Sequence, residues 1–184
     1  MSPAPIAAEP LRLLVVHGGH AFETNQFIQV FRDNTNVTFD VVEHPAAHAR
    51  WQAEPAKAWD VLVLYDLWQE ISDNAKADLV ARLKEGKGLV VLHHALANYQ
   101  KWPEYERIVG GKFYLEKQTV NNVEKAQSTY KHDVDFTVRI ANNQHPVTQG
   151  LTNFVIHDEV YGAFDVSSQT HALLTTDEPA SGKT

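Results

Sequence analysis

Four short aliphatic runs, each followed by a stretch long enough for a crossover, constrain this chain more than any other feature. They are Leu11 to Val16, Val37 to Val42, Asp60 to Tyr65 and Lys87 to Leu92. Runs of this length rich in Val and Leu read as buried strands rather than helices. Glu23 to Arg32 lies between the first two and sets Phe27, Ile28, Val30 and Phe31 near one helical face. Ser72 is a candidate N-cap for a helix with Ala75, Leu79, Val80 and Leu83 on its apolar stripe, and Gly86 is its stop. Strands alternating with helices predict an α/β, doubly wound, mostly parallel sheet with helices on both faces, because parallel strands need crossovers.

In such a sheet, ligands bind where the strands end. The strand ends here are polar and rich in imidazole. His17-Gly18-Gly19-His20 closes the first run, Asp66 and Trp68 follow the third, and His93-His94 closes the fourth. Later in the chain, His157 and Glu159 stand two apart in an extended stretch and share one face of it. A parallel sheet brings these strand ends to one edge. Neutral imidazole with carboxylate suits a divalent cation of the zinc or manganese kind, and His17, His20 and His94 are the candidate ligands. His94, His157 and Glu159 are the candidate catalytic groups. Successive strand residues face opposite ways, so only one of His93 and His94 faces the pocket. His94, nearer the turn, is assigned catalysis, and His93 is left to substrate binding beside His20 and Asp66.

Bland alternatives stand beside these. His17 and His20 are also suited to bonding backbone groups in a turn that the glycines shape, and His157 with Glu159 to a surface ion pair. His44, His48 and His171 read as solvated loop residues, His145 before Pro146 as structural. Trp68 and Trp102, each after a strand end, are the tryptophans best placed to stack on a sugar ring.

Past Tyr99 the pattern loosens. A short helix is expected over Trp102 to Ile108, a polar excursion over Lys112 to Tyr130, and strands at Asp135 to Ile140, Phe154 to Val166 and Ala172 to Thr176. Residues 1–10 read as a flexible leader and 11–184 as one domain.

Composition removes several function classes. The chain has no cysteine, so thiol catalysis and thiolate ligation are absent. The net charge of −7, without a basic run, disfavours a nucleic-acid partner. No apolar stretch reaches the ~20 residues of a membrane span, so no membrane partner is expected. Neither GxGxxG nor a P-loop occurs, so no nucleotide cofactor is expected, and no GxSxG elbow is present.

The pieces LLVVHGGHAFE, DVLVLYD, GLVVLHHALANYQKWPEYERIVGGKF, YKHDVDFTV, HPVTQGL and FVIHDEVY, in that order, resemble the ThuA-like family named for trehalose utilisation. The resemblance spans about Leu11 to Thr176. It implies a class I glutamine-amidotransferase-like, flavodoxin-like fold. In that superfamily the turn after the fourth strand carries a cysteine nucleophile, and here it carries His93 and His94. The His-Asp-Glu-x-Tyr piece adds Tyr161 to the expected substrate contacts. ThuA-like domains usually continue with a further strand and helix, so a shortened C-terminus and an open sheet edge are implied, the latter favouring a homo-oligomer. The family context implies a small carbohydrate partner. The expected function is a lyase or hydrolase acting on keto-sugar glycosides or disaccharides by acid/base, metal-assisted elimination or hydrolysis. The alternative is a non-catalytic sugar-binding or regulatory module on the same scaffold. The compartment, cytoplasmic or exported, is left open.

Overall fold

The computed structural model describes residues 9–52 and 59–181. Residues 1–8 of the expected leader and 182–184 lie outside the described residues. The chain divides into two compact units, residues 1–101 and 102–184.

The first unit carries the four expected strands: β1 (Leu11–Gly18), β2 (Val37–Glu43), β3 (Val61–Asp66) and β4 (Gly88–Val91). They form one parallel sheet in the order β2-β1-β3-β4. Leu14, Val15, Val16, Leu62 and Leu64 have no exposed surface. Each such side chain contributes about 1.5–3 kcal/mol of burial free energy, and the continuous aliphatic runs are what a sheet covered on both faces needs. The order reverses between β1 and β3, so the crevice beyond their carboxyl ends is the switch point where this architecture binds ligands.

Helix α1 (Thr24–Arg32) joins β1 to β2. Ile28 is buried as expected, whereas Val30 is exposed, because two helical residues turn it to the opposite side. The short α2 (Ala47–Arg50) occupies the Ala-rich stretch after β2, and residues 53–58 of that connection lie outside the described set. Helix α3 (Asp73–Lys84) joins β3 to β4. Its cap is the expected one: Ser72 Oγ accepts from the Ala75 N–H at 3.2 Å.

In the second unit, α4 (Pro103–Val109) starts on proline and is closed by Gly110 at φ 76°. The expected polar excursion is more ordered than its composition implied. It holds β5 (Gly111–Lys112) and a hairpin of β6 (Gln118–Val120) and β7 (Val123–Lys125). The hairpin turns on Asn121 and Asn122, both at positive φ, as a tight two-residue turn requires. Strands β8 (Thr129–Ile140) and β9 (Phe154–Gly162) form a long antiparallel ladder with an irregularity between Lys131 and Val134. Two short strands follow: β10 (Asp165–Val166) pairs with β5, and β11 (Leu174–Thr175) with β8. The strand expected over Ala172 to Thr176 thus shortens to two residues. Among the described residues no helix is long and apolar enough to cross a membrane.

Candidate functional site

The carboxyl ends of β1, β3 and β4 gather imidazoles, as the parallel reading requires. His17 and Tyr65 are register partners on β1 and β3. Beyond β1 the chain turns through Gly18 and Gly19. At Gly19 φ is +82°, and a Cβ there would collide with the Leu67 carbonyl oxygen, so only glycine allows the approach. This turn brings the His20 ring to His94, with Nε2 to Nε2 at 2.5 Å and ring centroids 3.6 Å apart. His94 Nδ1 in turn lies 2.7 Å from His93 Nδ1. Three imidazoles are therefore contiguous at the switch point.

An aromatic wall supports them. Phe22 meets His17, His20 and Tyr65 at 5.4, 5.2 and 5.1 Å between centroids, and Phe27 stacks on Tyr65 at 4.2 Å. Tyr65 itself lies 4.9 Å from His94. Phe22 and Tyr65 escaped sequence reasoning, because aromatic residues at strand ends look like ordinary packing. The signal was their position, two residues beyond His20 and last in the aliphatic run before Asp66.

The His93-His94 pair sits at the start of a 3₁₀ turn over His93–Ala97, directly after β4 and Leu92. His93 is exposed and held at φ 53°, a left-handed conformation unfavourable for a residue with a Cβ. Surrounding bonds impose it: Leu92 N–H donates to Leu64 O at 2.9 Å, and Tyr99 N–H to Trp68 O at 3.0 Å. His94 is half-buried. Burial first, and then the neighbouring His20 and His93, push its pKa down to about 3, so it is uncharged at neutral pH.

Beneath this rim lies a buried polar knot. Asp66, expected to touch substrate, is fully buried, with both carboxylate oxygens engaged. His44 Nε2 donates to Oδ2 at 2.9 Å and Asn98 Nδ2 to Oδ1 at 2.8 Å. Asn98 Oδ1 accepts the Trp68 N–H at 2.9 Å. Asp66 therefore holds the strand ends together from a fully buried position. His44 and His48, expected to be solvated, belong to this interior. His44 is buried and stacks on Trp68 at 4.7 Å, which occupies the sugar-stacking candidate's ring on that side. His48 bonds Tyr99 Oη at 3.1 Å, and burial pushes its pKa down to about 4. Sequence reasoning missed them because a histidine next to proline and alanine carries no apolar periodicity.

The expected ligands His17, His20 and His94 do not assemble as a metal site. The His20 and His94 Nε2 atoms lie 2.5 Å apart. His17 turns its ring to the edge of Phe22. Among the described residues no group of three or more His, Asp or Glu side chains is arranged to hold an ion.

His157 and Glu159 are on β9, which is antiparallel and not part of the four-stranded sheet. The four-stranded parallel sheet ends at β4. They bind different partners on β8: His157 Nδ1 lies 2.9 Å from Asp135 Oδ1, and Glu159 Oε1 lies 3.5 Å from His132 Nδ1. The hydrogen bond and charge of Asp135, with Asp133 adding to them, raise the His157 pKa. In the same unit, Trp102, expected to stack on a sugar ring, is buried and stacks on Tyr105 at 5.9 Å. Tyr161 packs against Phe113 at 5.0 Å. His145 Nδ1 accepts the Val147 N–H at 3.2 Å, the structural role expected of it.

The parallel β2-β1-β3-β4 sheet with its crossover helices gives the chain an α/β fold of the glutamine-amidotransferase-like kind. More narrowly, the chain belongs to the ThuA family, described as trehalose utilisation, whose family model matches residues 12–183. A ThuA-like protein from Parabacteroides merdae superposes with a TM-score of 0.74 at 16% identity, over 91% of this chain and 68% of that one. A second, from Bacteroides uniformis, gives 0.69 at 19% identity, over 96% and 72%. A glutamine amidotransferase from Thermotoga maritima gives 0.50 at 13% identity, over 93% and 69%. Identities this low speak for the fold alone. No curated protein matches the sequence.

Proposed function

We propose that this protein is a carbohydrate-active enzyme that acts on keto-sugar glycosides or disaccharides by acid/base elimination or hydrolysis. The family description supports a carbohydrate-related role. The observation that carries the chemistry is the contiguous His20, His94 and His93 at the carboxyl edge of the parallel sheet. A ketone at C3 of a glycoside acidifies the proton on C2. Its removal gives an enediolate, from which the C1 substituent leaves as an alcohol. That sequence needs a proton acceptor and a donor for the leaving oxygen, and imidazole performs both near neutral pH. Apposed imidazoles supply both without redox chemistry. Incubating the full chain with 3-keto-glucosides, and following release of the alcohol by NMR, tests the reading. Release above the spontaneous rate is expected, and none under any condition ends the enzymatic proposal.

The complete lack of cysteine favours a second reading, a sugar-binding or regulatory module on an amidotransferase-like scaffold. It predicts saturable binding of the same sugars by calorimetry with no product.

A further inference from the structure

An imidazole already engaged at both nitrogens must give up one of those contacts before it can take a proton from a substrate. His20 and His94 are in that position. His20 Nδ1 meets the Ala21 carbonyl oxygen at 3.1 Å, and its Nε2 meets His94 Nε2 at 2.5 Å and the Tyr65 carbonyl oxygen at 3.3 Å. His94 Nδ1 meets His93 Nδ1 at 2.7 Å. These four nitrogens of His20 and His94 hold the rim together before any substrate arrives.

His17 differs. Its backbone is fixed in β1, where its carbonyl oxygen accepts the His44 N–H at 3.1 Å and its register partners are Glu43 and Tyr65. Its ring is half-buried, and among the described residues neither ring nitrogen takes part in a hydrogen bond. Of the two turn histidines suited to bonding backbone groups, only His20 does so. His44 also has an unpartnered nitrogen, Nδ1, but that side chain has no exposed surface. The turn through Gly18 and Gly19 folds Phe22 back against both the His17 and His20 rings, at 5.4 and 5.2 Å. Register partners on neighbouring strands point to the same face of the sheet. His17 therefore stands beside Tyr65, whose ring lies 4.9 Å from that of His94.

We propose that His17 is the catalytic base of this site. The proposal rests on the reading of the rim as acid/base machinery for keto-glycosides. It moves the proton abstraction from His94, expected to be catalytic, to His17, expected only to bind a cation. Neutral His17 takes the C2 proton, the C–H electron pair becomes the C1–C2 double bond, and the C1–O bond breaks with its pair on oxygen. That oxygen takes a proton from solvent water, and His17, half-exposed at the rim, returns its own to solvent. An enone and an alcohol are left, with nothing oxidised or reduced and the imidazole neutral again. Because the proton passes through solvent, the C2 hydrogen of a bound ketone exchanges with water even where no group leaves.

Two measurements on the full chain decide it. The first follows, by proton NMR in D₂O, exchange of the C2 hydrogen of 3-keto-1,5-anhydroglucitol, which has no exocyclic group at C1 to expel. The wild-type chain is expected to speed this exchange over buffer, and His17→Gln to lower it about 10²–10⁴-fold. The second follows alcohol release from a methyl 3-keto-glucoside. There His17→Gln is expected to lower kcat by a similar factor with KM little changed. His17→Gly is expected to recover in part on adding free imidazole, which a variant that only disturbs the fold does not do. Undiminished exchange or release in His17→Gln overturns the assignment, and so does a loss in His17→Gly that imidazole leaves unrepaired. If the wild-type chain exchanges the C2 hydrogen through His17 but releases no alcohol, the elimination reading fails and the base stands. Release that does not need His17 leaves that reading standing and ends this one, and neither exchange nor release ends both.

Discussion

The His44–Asp66 and His157–Asp135 pairs have the same 2.9 Å separation and opposite meanings. In the first, neither side chain is exposed; in the second, the exposures are 60% and 77%. Water screens the surface pair and leaves its histidine free to titrate. No water reaches the buried one, so its value lies in satisfying groups that are costly to leave unpaired. Asp66 joins the segments after β2, at the end of β3 and after β4 through His44 and Asn98, and the catalytic candidates stand on that rim. Distance alone therefore does not rank imidazole–carboxylate pairs; burial does.

The largest expected effect follows directly. Asp66→Ala strands His44 and Asn98 in the interior and should cost about 3–5 kcal/mol in denaturant unfolding. Asp135→Ala should leave the midpoint where it was. A loss below about 1 kcal/mol for Asp66→Ala would show that the knot does not hold the rim, since ordinary surface changes stay near that size or under it.

The same contrast explains what was legible in the sequence. The parallel sheet, the cap at Ser72 and the gathering of His17, His20, His93 and His94 followed from aliphatic runs that stop at polar residues. Such runs fold the same way wherever they occur. What escaped depended on burial in three dimensions. Asp66 looked like a rim carboxylate because it ends a strand, and only its neighbours His44 and Asn98, 22 and 32 residues distant, take it into the interior. Trp102 looked available and is packed against Tyr105. His157 was grouped with the others because it also follows an apolar stretch, and strand direction, which a single short run does not encode, makes β9 the antiparallel partner of β8. The expected metal set is less legible, because spacing in sequence does not fix how imidazole nitrogens at different strand ends face one another.

A smaller effect opposes His94 to His157 through pH. The folded-state pKa of His94 is about 3, below its ordinary 6.5, so between these values the unfolded chain binds a proton that the folded chain does not. Stability should therefore fall as pH drops below about 6.5, with half-buried His48, at about 4, acting in the same direction. Melting temperatures between pH 7.5 and 4.5 should show this slope, and His94→Gln should flatten it. A slope unchanged in both His94→Gln and His48→Gln would place the acid sensitivity elsewhere.

His157 reverses the sign. Its pKa is raised above 6.5 by Asp135 and then Asp133, so its contribution is present in full below 6.5 and fades as pH rises through the folded value. Because the group is solvent-exposed, the effect on stability is small, and proton NMR of the imidazole is the sensitive probe. The titration midpoint should lie above 6.5 and move back toward it in Asp135→Asn, with Asp133, 3.6 Å from Nε2, retaining part of the shift. A midpoint below 6.5 would make His157 resemble His94 and remove the contrast. A midpoint above it means that around pH 6 His157 keeps a proton that His94 lacks, so the two residues first assigned to one catalytic set respond to pH in opposite directions.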